Sequence, residues 1–364
     1  MSRVFFLVAV SLIAFVLSID DAHCEPGIMQ FVAFPPERYA QALMGDHAWT
    51  IYASGDIDAN ASVRLDKLIS AKRIPYGSLL YLSSPGGNLV GGLKLGRTIR
   101  KYGLNTYVGQ IKAGGSHTEI SPGFCASACA MAFLGGEYRY VPKGSVYGVH
   151  RFFWEQRTTS DADVAQIISA AVVEYIRSMG VSTDLFTLAA QAGSSELVTP
   201  PHDVLLALNV VNDGRKPVSW TIESVTGAIY LKGQQETWNG MTKLMLVCPS
   251  QGNMSLYAIF DAAQNTSEVM EFGTHWLFSD SQKIEIEDHL KTKKVLNGWI
   301  NLMYAVDKPL LSTFTATQRT IGVGLSPFPG SAFFDGFADM PFQGATSKLG
   351  GFLQVCHAPL ASTH

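Results

Sequence analysis

The sequence predicts an α/β domain over residues 25–214 followed by a mainly-β domain over residues 215–364. Two observations predict it. Strand and helix signals alternate from residue 49 to residue 208, the pattern of a parallel sheet with right-handed crossovers. After Pro217 the texture changes to short β-type runs, and Asp213-Gly214-Arg215-Lys216-Pro217 is the polar turn that divides the two parts. A chain of 364 residues has room for both.

Residues 1–18 carry one positive charge, Arg3, ahead of an apolar run over 4–17. That run is short for a bilayer span and suits the core of a secretory signal. The expectation is a signal peptide over 1–24 and an exported protein, periplasmic in a bacterium, with an uncleaved signal anchor as the alternative. Residues before Cys24 make a poor lipoprotein box. Residues 25–44 read as a loose, proline-containing lead-in with one short helix.

A strand follows over 49–53. Asp58, Asn60 and Ser62 then offer caps for a helix that turns Val63, Leu65, Leu68 and Ile69 inward. Residues 79–82 read as a buried strand and 84–87 as a turn. The next helix runs through Arg100 and packs Leu89, Val90, Leu93 and Ile99, and 105–108 is a strand. Residues 110–124 read as a glycine-containing loop placed to cover a site as a lid. Helix 128–134, a short strand over 137–141 and a strand over 145–149 come next. From 161 to 179, Val164, Ile167, Ile168, Ala171, Val172, Tyr175 and Met179 recur at helical spacing opposite polar residues, an amphipathic helix whose stripe is mostly core. Thr199-Pro200 reads as an N-cap and first turn of a helix to Leu208. Beyond Pro217, strands are expected over 218–223, 228–232, 243–248, 256–260 and 283–287, with a closing helix over 347–355. Trp220, Trp238, Trp276 and Trp299 are expected in the core of this part rather than on a carbohydrate platform.

Composition narrows the function. Hydrophobic residues make up 47% and charged residues 16%, as in a globular protein with a substantial core, and the net charge is −3. That charge gives no electrostatic case for nucleic acid or an anionic membrane. No metalloprotease helix motif, phosphate-binding lysine loop or dinucleotide glycine fingerprint occurs, and the nine histidines lack metal-ligand spacing. No cofactor and no metal are expected.

One stretch carries chemistry. Gly123-Phe124-Cys125-Ala126-Ser127-Ala128-Cys129-Ala130-Met131 is a run of small residues leading into a helix. A serine on such a turn exposes its hydroxyl beside unpaired backbone N–H groups. A histidine from another strand would take its proton, and a glycine turn would add a second N–H to an oxyanion hole. Most serines at helix starts only pack, and most lone histidines are satisfied core residues; here order and spacing lift Ser127 and His150 above that background.

Three segments carry a family resemblance: Ser84-Pro85-Gly86-Gly87 after a strand, then Ala126-Ser127-Ala128, then Gly148-Val149-His150. In this order they resemble the proteolytic subunit of Clp protease and its ClpP/crotonase superfamily, over about residues 45–213. The resemblance implies a ClpP/crotonase-like N-terminal fold and serine peptide hydrolysis. Ser127 is the implied nucleophile, His150 the general base, and Gly87 and Ala128 the oxyanion-hole donors. It also implies a peptide or protein substrate, and homo-oligomer contacts through the 161–179 helix. Export separates the chain from coenzyme A, so the acyl-CoA chemistry of the crotonases is not expected. The family's aspartate before the Leu197-Val198-Thr199 segment has no counterpart, since residues 192–196 read Ala-Gly-Ser-Ser-Glu. Glu196 is the first candidate, ahead of Asp203 and Asp184. Otherwise another group orients His150, a dyad operates, or the fold is an inactive binding or assembly module. For a Ser–Lys arrangement, Lys112 and Lys143 are available with no spacing that selects either.

Of five cysteines, removal of Cys24 leaves four, an even number for an oxidising compartment. A Cys248–Cys356 bridge is expected in the second part. Cys125 and Cys129 flank Ser127 four residues apart. They either bridge across one turn, with a thiol–disulfide switch at Ser127 as a consequence, or pack as two small buried thiols.

Overall fold

The computed structural model describes residues 27–37, 47–116, 118–151, 161–193, 196–262, 265–331 and 333–361. The signal sequence expected over 1–24 lies outside them. The chain is mixed α/β with several sheets, and its buried side chains form two separate hydrophobic clusters, one from Met29 to Val211 and one from Trp220 to Phe352. No described helix is long and apolar enough to cross a membrane.

The first sheet has strands β1 (Gln30–Phe34), β2 (Thr50–Ser54), β3 (Leu79–Ser83), β4 (Asn105–Ile111) and β5 (Ile120–Pro122) in that order, with β7 (Arg139–Tyr140) beside β4. Strands β2, β3, β4 and β7 run parallel, while β1 and β5 are antiparallel additions. β1 replaces part of the expected loose lead-in, because Gln30–Phe34 pairs in full register with β2. The parallel strands are joined by helices α1 (Ala61–Lys72) and α2 (Leu89–Lys101). The Asn88 side chain caps α2 by accepting from the Gly91 N–H at 2.8 Å. Leu65 and Ile69 of α1 and Leu93 and Ile99 of α2 are buried as expected, but Val63 and Val90 are exposed. Each falls on the side of its helix opposite the buried residues, at 100° of rotation per position.

One face of this sheet carries a row of tyrosines. Tyr52, Tyr81, Tyr107 and Tyr140 are cross-strand partners, and their rings stack at centroid distances of 5.2, 5.0 and 4.4 Å. Loss of water around the phenol pushes Tyr52 up to about 12.

Residues 110–124, expected as a loop, instead extend β4 into a hairpin. Gly109, Gln110 and Ile111 pair with Pro122, Ser121 and Ile120, and Lys112 forms an ion pair with Glu119 at 3.2 Å across the turn.

A second, two-stranded parallel sheet stands at the end of the first. It consists of β6 (Phe124–Ala126) and β8 (Val146–Gly148), tied to the end of β3 by a Ser84–Cys125 bridge. The short helix α3 (Ala128–Phe133) leaves β6 directly through Ser127. Helix α4 (Asp161–Ser178) buries Val172, Tyr175 and Ile176, but Ile167 and Val164 are exposed, so its apolar stripe is only partly core. An additional helix, α5 (Asp184–Gln191), follows. Helix α6 (His202–Ala207) starts later than expected, with Pro201 at its N-cap. Pro200 holds Thr199 away from helical geometry, and Val198 pairs with Val149 instead.

The second cluster lies under a six-stranded and a four-stranded antiparallel sheet. The first has the order β15 (Leu290–Leu296), β16 (Trp299–Ala305), β12 (Ser255–Phe260), β11 (Gly240–Pro249), β10 (Ala228–Thr237), β9 (Ser219–Val225). The other runs β14 (Gln282–Glu285), β13 (Thr274–Ser279), β17 (Thr320–Ser326), β18 (Asp335–Pro341). Helices α7 (Thr266–Val269), α8 (Lys308–Ala316) and α9 (Gln343–Val355) complete it. Strand Lys283–Glu287 is shortened because Glu287–His289 turns into a 3-10 helix. Trp220 and Trp276 are core, whereas Trp238 is 68% exposed, contrary to expectation. It sits at the β10–β11 turn with its backbone N–H donating to the Gly214 carbonyl. Cys248 of β11 is bonded to Cys356 just after α9, the pairing expected from the sequence. Both disulfides suit an oxidising compartment.

Candidate active site

The site is built on the β6–Ser127–α3 elbow. Ser127 has φ 58° and ψ −122°, a left-handed conformation that a side chain adopts only when its surroundings enforce it, at a cost of about 1–3 kcal/mol. Three restraints enforce it here. The Ser127 N–H donates to the Gly148 carbonyl at 3.1 Å, and its carbonyl accepts from Met131 N–H at 3.3 Å. Cys125 and Cys129 on either side are joined by a disulfide with Cα atoms 5.2 Å apart. The Ser127 hydroxyl does not cap α3 and the residue is half-buried.

The Ser84–Gly87 turn packs on the elbow. Gly86 has φ 114°, and a Cβ there would lie 2.6 Å from Ser127 Cβ and 3.1 Å from the Ala128 nitrogen. Only a residue without a side chain fits. The Ser84 hydroxyl accepts from the Gly86 N–H at 3.1 Å, and the Gly86 carbonyl accepts from Ile57 N–H at 2.6 Å. Among the described residues no acceptor is matched to the Gly87 N–H or to the Ala128 N–H. These are the two donors that sequence reasoning assigned to an oxyanion hole.

His150 follows β8. Parallel pairing of Ala126 with Gly148 sends Ser127 and His150 out of the same end of the β6–β8 pair. His150 Nδ1 lies 2.9 Å from the Arg151 carbonyl. With Nδ1–H donating there, Nε2 is the basic nitrogen, the tautomer a general base needs. Val149 and Val198 exchange two 2.9 Å backbone hydrogen bonds, which brings the Glu196 segment alongside Arg151. The Glu196 carboxylate is exposed and accepts from its own turn, at 3.4 Å from the Gly193 nitrogen. Of the other candidates, Asp184 accepts from the Ser182 hydroxyl at 3.1 Å, Asp203 lies in the first turn of α6, and Lys112 is engaged with Glu119.

Sequence reasoning missed the residues that make α3 tenable. All six of its residues are buried, so its terminal carbonyls need donors. Tyr147 and Tyr175 hydroxyls donate to the Ala130 and Met131 carbonyls at 3.3 and 2.7 Å, and Thr106 donates to Phe133 at 2.8 Å. The Arg100 guanidinium donates to the carbonyls of Leu134, Gly135 and Gly136. Arg139, 2% exposed, donates to Gly136, Asn209 and Val210, and burial pulls it down to about 10. Tyr175 was visible as part of an apolar stripe; its polar role was not.

Beside Arg151, an apolar cavity of about 270 Å³ opens between α4 and α5, lined by Ala165, Ile168, Ser169, Phe186 and Ala189. No group of three or more metal-ligating side chains occurs among the described residues.

Compared with known proteins, the chain matches no family model and no curated sequence.

Proposed function

We propose that this chain is an exported serine peptidase of the Clp-protease-like kind, with the N-terminal α/β part as the catalytic unit. The observation that carries the reading is Ser127 held in a left-handed elbow against Gly86, with the adjoining Gly87 and Ala128 N–H groups matched to no acceptor among the described residues. In this reading the Ser127 hydroxyl attacks a peptide carbonyl as His150 Nε2 takes its proton. Gly87 and Ala128 N–H groups stabilise the oxyanion. The protonated imidazole then gives its proton to the leaving amine, and water, activated by the same nitrogen, releases the acyl group. The Arg151 carbonyl orients the imidazole where the family's aspartate is lacking. The cavity beside Arg151 favours substrates with an apolar side chain near the cleaved bond. Self-association through α4 rests on the exposure of Ile167 and Val164.

One observation favours a second reading, an inactive binding module on the same fold: the Glu196 carboxylate is spent on its own turn. Mass-spectrometric detection of cleavage in a mixed peptide library, with Ser127→Ala as control, separates the two. Cleavage lost in the variant supports the peptidase. A library left intact by wild type and variant alike supports the binding module.

A further inference from the structure

We infer that the Cys125–Cys129 disulfide is the positioning element for Ser127, so that the serine becomes competent only once the chain has been oxidised. The inference rests on the reading of Ser127 as nucleophile. It goes beyond that reading because it makes compartment chemistry a condition of the site.

Residue 127 is not glycine, yet it occupies φ 58°. Two of the restraints on it are single backbone hydrogen bonds, to Gly148 and from Met131, of 3.1 and 3.3 Å. Helix α3 has only six residues, and the side-chain donors that support it reach the carbonyls of Ala130, Met131 and Phe133, not those of Ala128 and Cys129 at its start. The disulfide is the covalent restraint. It joins the middle of β6 to the second residue of α3, and Ser127 is the midpoint of the five residues it spans. Without it, the elbow can relax toward ordinary backbone geometry, and relaxation moves the Ser127 hydroxyl and the Ala128 N–H together.

Both cysteines are 0% exposed, which decides when the bridge can form. A reductant or oxidant does not reach them in the folded protein, so the bond is made during folding and then persists. In the closing step the Cys125 and Cys129 thiols lose two electrons and two protons to a disulfide oxidant, which leaves as two thiols. A chain folded in a reducing compartment keeps both thiols and an unrestrained elbow. The device therefore ties activity to folding in an oxidising compartment, after export. The second bridge, Cys248–Cys356, lies in the other hydrophobic cluster and serves as an internal control.

The test compares full-length wild type, Cys125→Ala/Cys129→Ala and Cys248→Ala/Cys356→Ala, each refolded with oxidised and reduced glutathione. Two quantities are read: the rate of labelling by a fluorophosphonate probe, and hydrogen exchange of the Ser127 and Met131 amides. The Cys125/Cys129 variant is expected to label about a hundredfold more slowly, the loss typical of a small displacement of a reacting group. It is also expected to lose protection at the two amides. The Cys248/Cys356 variant is expected to match wild type in both. Wild-type labelling and protection in a folded Cys125/Cys129 variant would overturn the inference. If the alanine pair does not fold, Cys125→Val/Cys129→Ala restores buried volume and is read by the same two criteria. Absence of labelling in wild type, with elbow protection still dependent on the bridge, removes the nucleophile reading and leaves the positioning role standing.

Discussion

Gly86 and Ser127 meet backbone to side chain: a Cβ on residue 86 would lie 2.6 Å from Ser127 Cβ and 2.7 Å from the Ala126 carbonyl oxygen. This contact couples the glycine turn to the serine elbow. Gly86→Ala therefore strains a φ of 114° and pushes on the elbow at once. The expected loss is about 1–3 kcal/mol of stability, together with loss of fluorophosphonate labelling in the fraction that remains folded. Denaturant unfolding and labelling on the same sample check both.

Tyr175 supports the elbow from below. Its hydroxyl donates to the Met131 carbonyl, which also accepts from Leu134 N–H. Tyr175→Phe removes the first of these bonds and keeps the packing, so the expected cost is about 1 kcal/mol. A shift in the urea midpoint without a change in slope would show it.

The two disulfides differ in what they stabilise. Cys248–Cys356 closes a separation of 108 residues around the second hydrophobic cluster. In the chain-entropy account a loop of that size contributes roughly 4 to 5 kcal/mol. Cys356→Ser is expected to lower the unfolding temperature of the C-terminal half. Ser127 labelling at 25 °C should stay as in wild type, and calorimetry beside the labelling assay reads both.

His275 gives the second cluster a dependence on pH. It is buried in β13 with Nδ1 2.8 Å from the Tyr304 hydroxyl, and burial, assisted by the Lys293 charge, pulls it down to about 4 from 6.5. Between these values the unfolded chain binds the proton and the folded chain does not. Stability attributable to His275 is thus fully present above pH 6.5, falls as the pH drops toward 4, and levels off below it. His275→Gln should flatten this part of the stability–pH curve, as measured by denaturant unfolding from pH 7 to pH 4.

Much of this architecture was legible in the sequence, for physical reasons that also set its limits. The alternation of strands and helices up to Leu208, the break at residues 213–217 and the Cys248–Cys356 pair follow from hydrophobic periodicity, turn residues and cysteine counting. The Ser127 elbow was legible because a run of small residues leaves few alternatives to a close-packed turn. The β4–β5 hairpin was not, since Ile120, Ser121 and Pro122 show no strand alternation and pair only because β4 offers an open edge. α5 escaped because its eight residues, Asp184–Gln191, are too short for a periodicity to stand out. The donors to the carbonyls of α3 and of the turn after it come from residues such as Tyr175 and Arg100, tens of positions away, and only folding brings them together. The exposure of Trp238 was hidden because a tryptophan among β-type runs reads as core.

The proposed peptidase activity turns on the activation of Ser127 by His150. The most direct measurement is the rate of fluorophosphonate attachment to the oxidised protein, with the modified residue mapped by mass spectrometry. Wild type is expected to carry one adduct, on Ser127, with none on Ser127→Ala and strongly slowed attachment to His150→Ala. Folded wild-type protein that takes no adduct, or takes one equally well without His150, would contradict it.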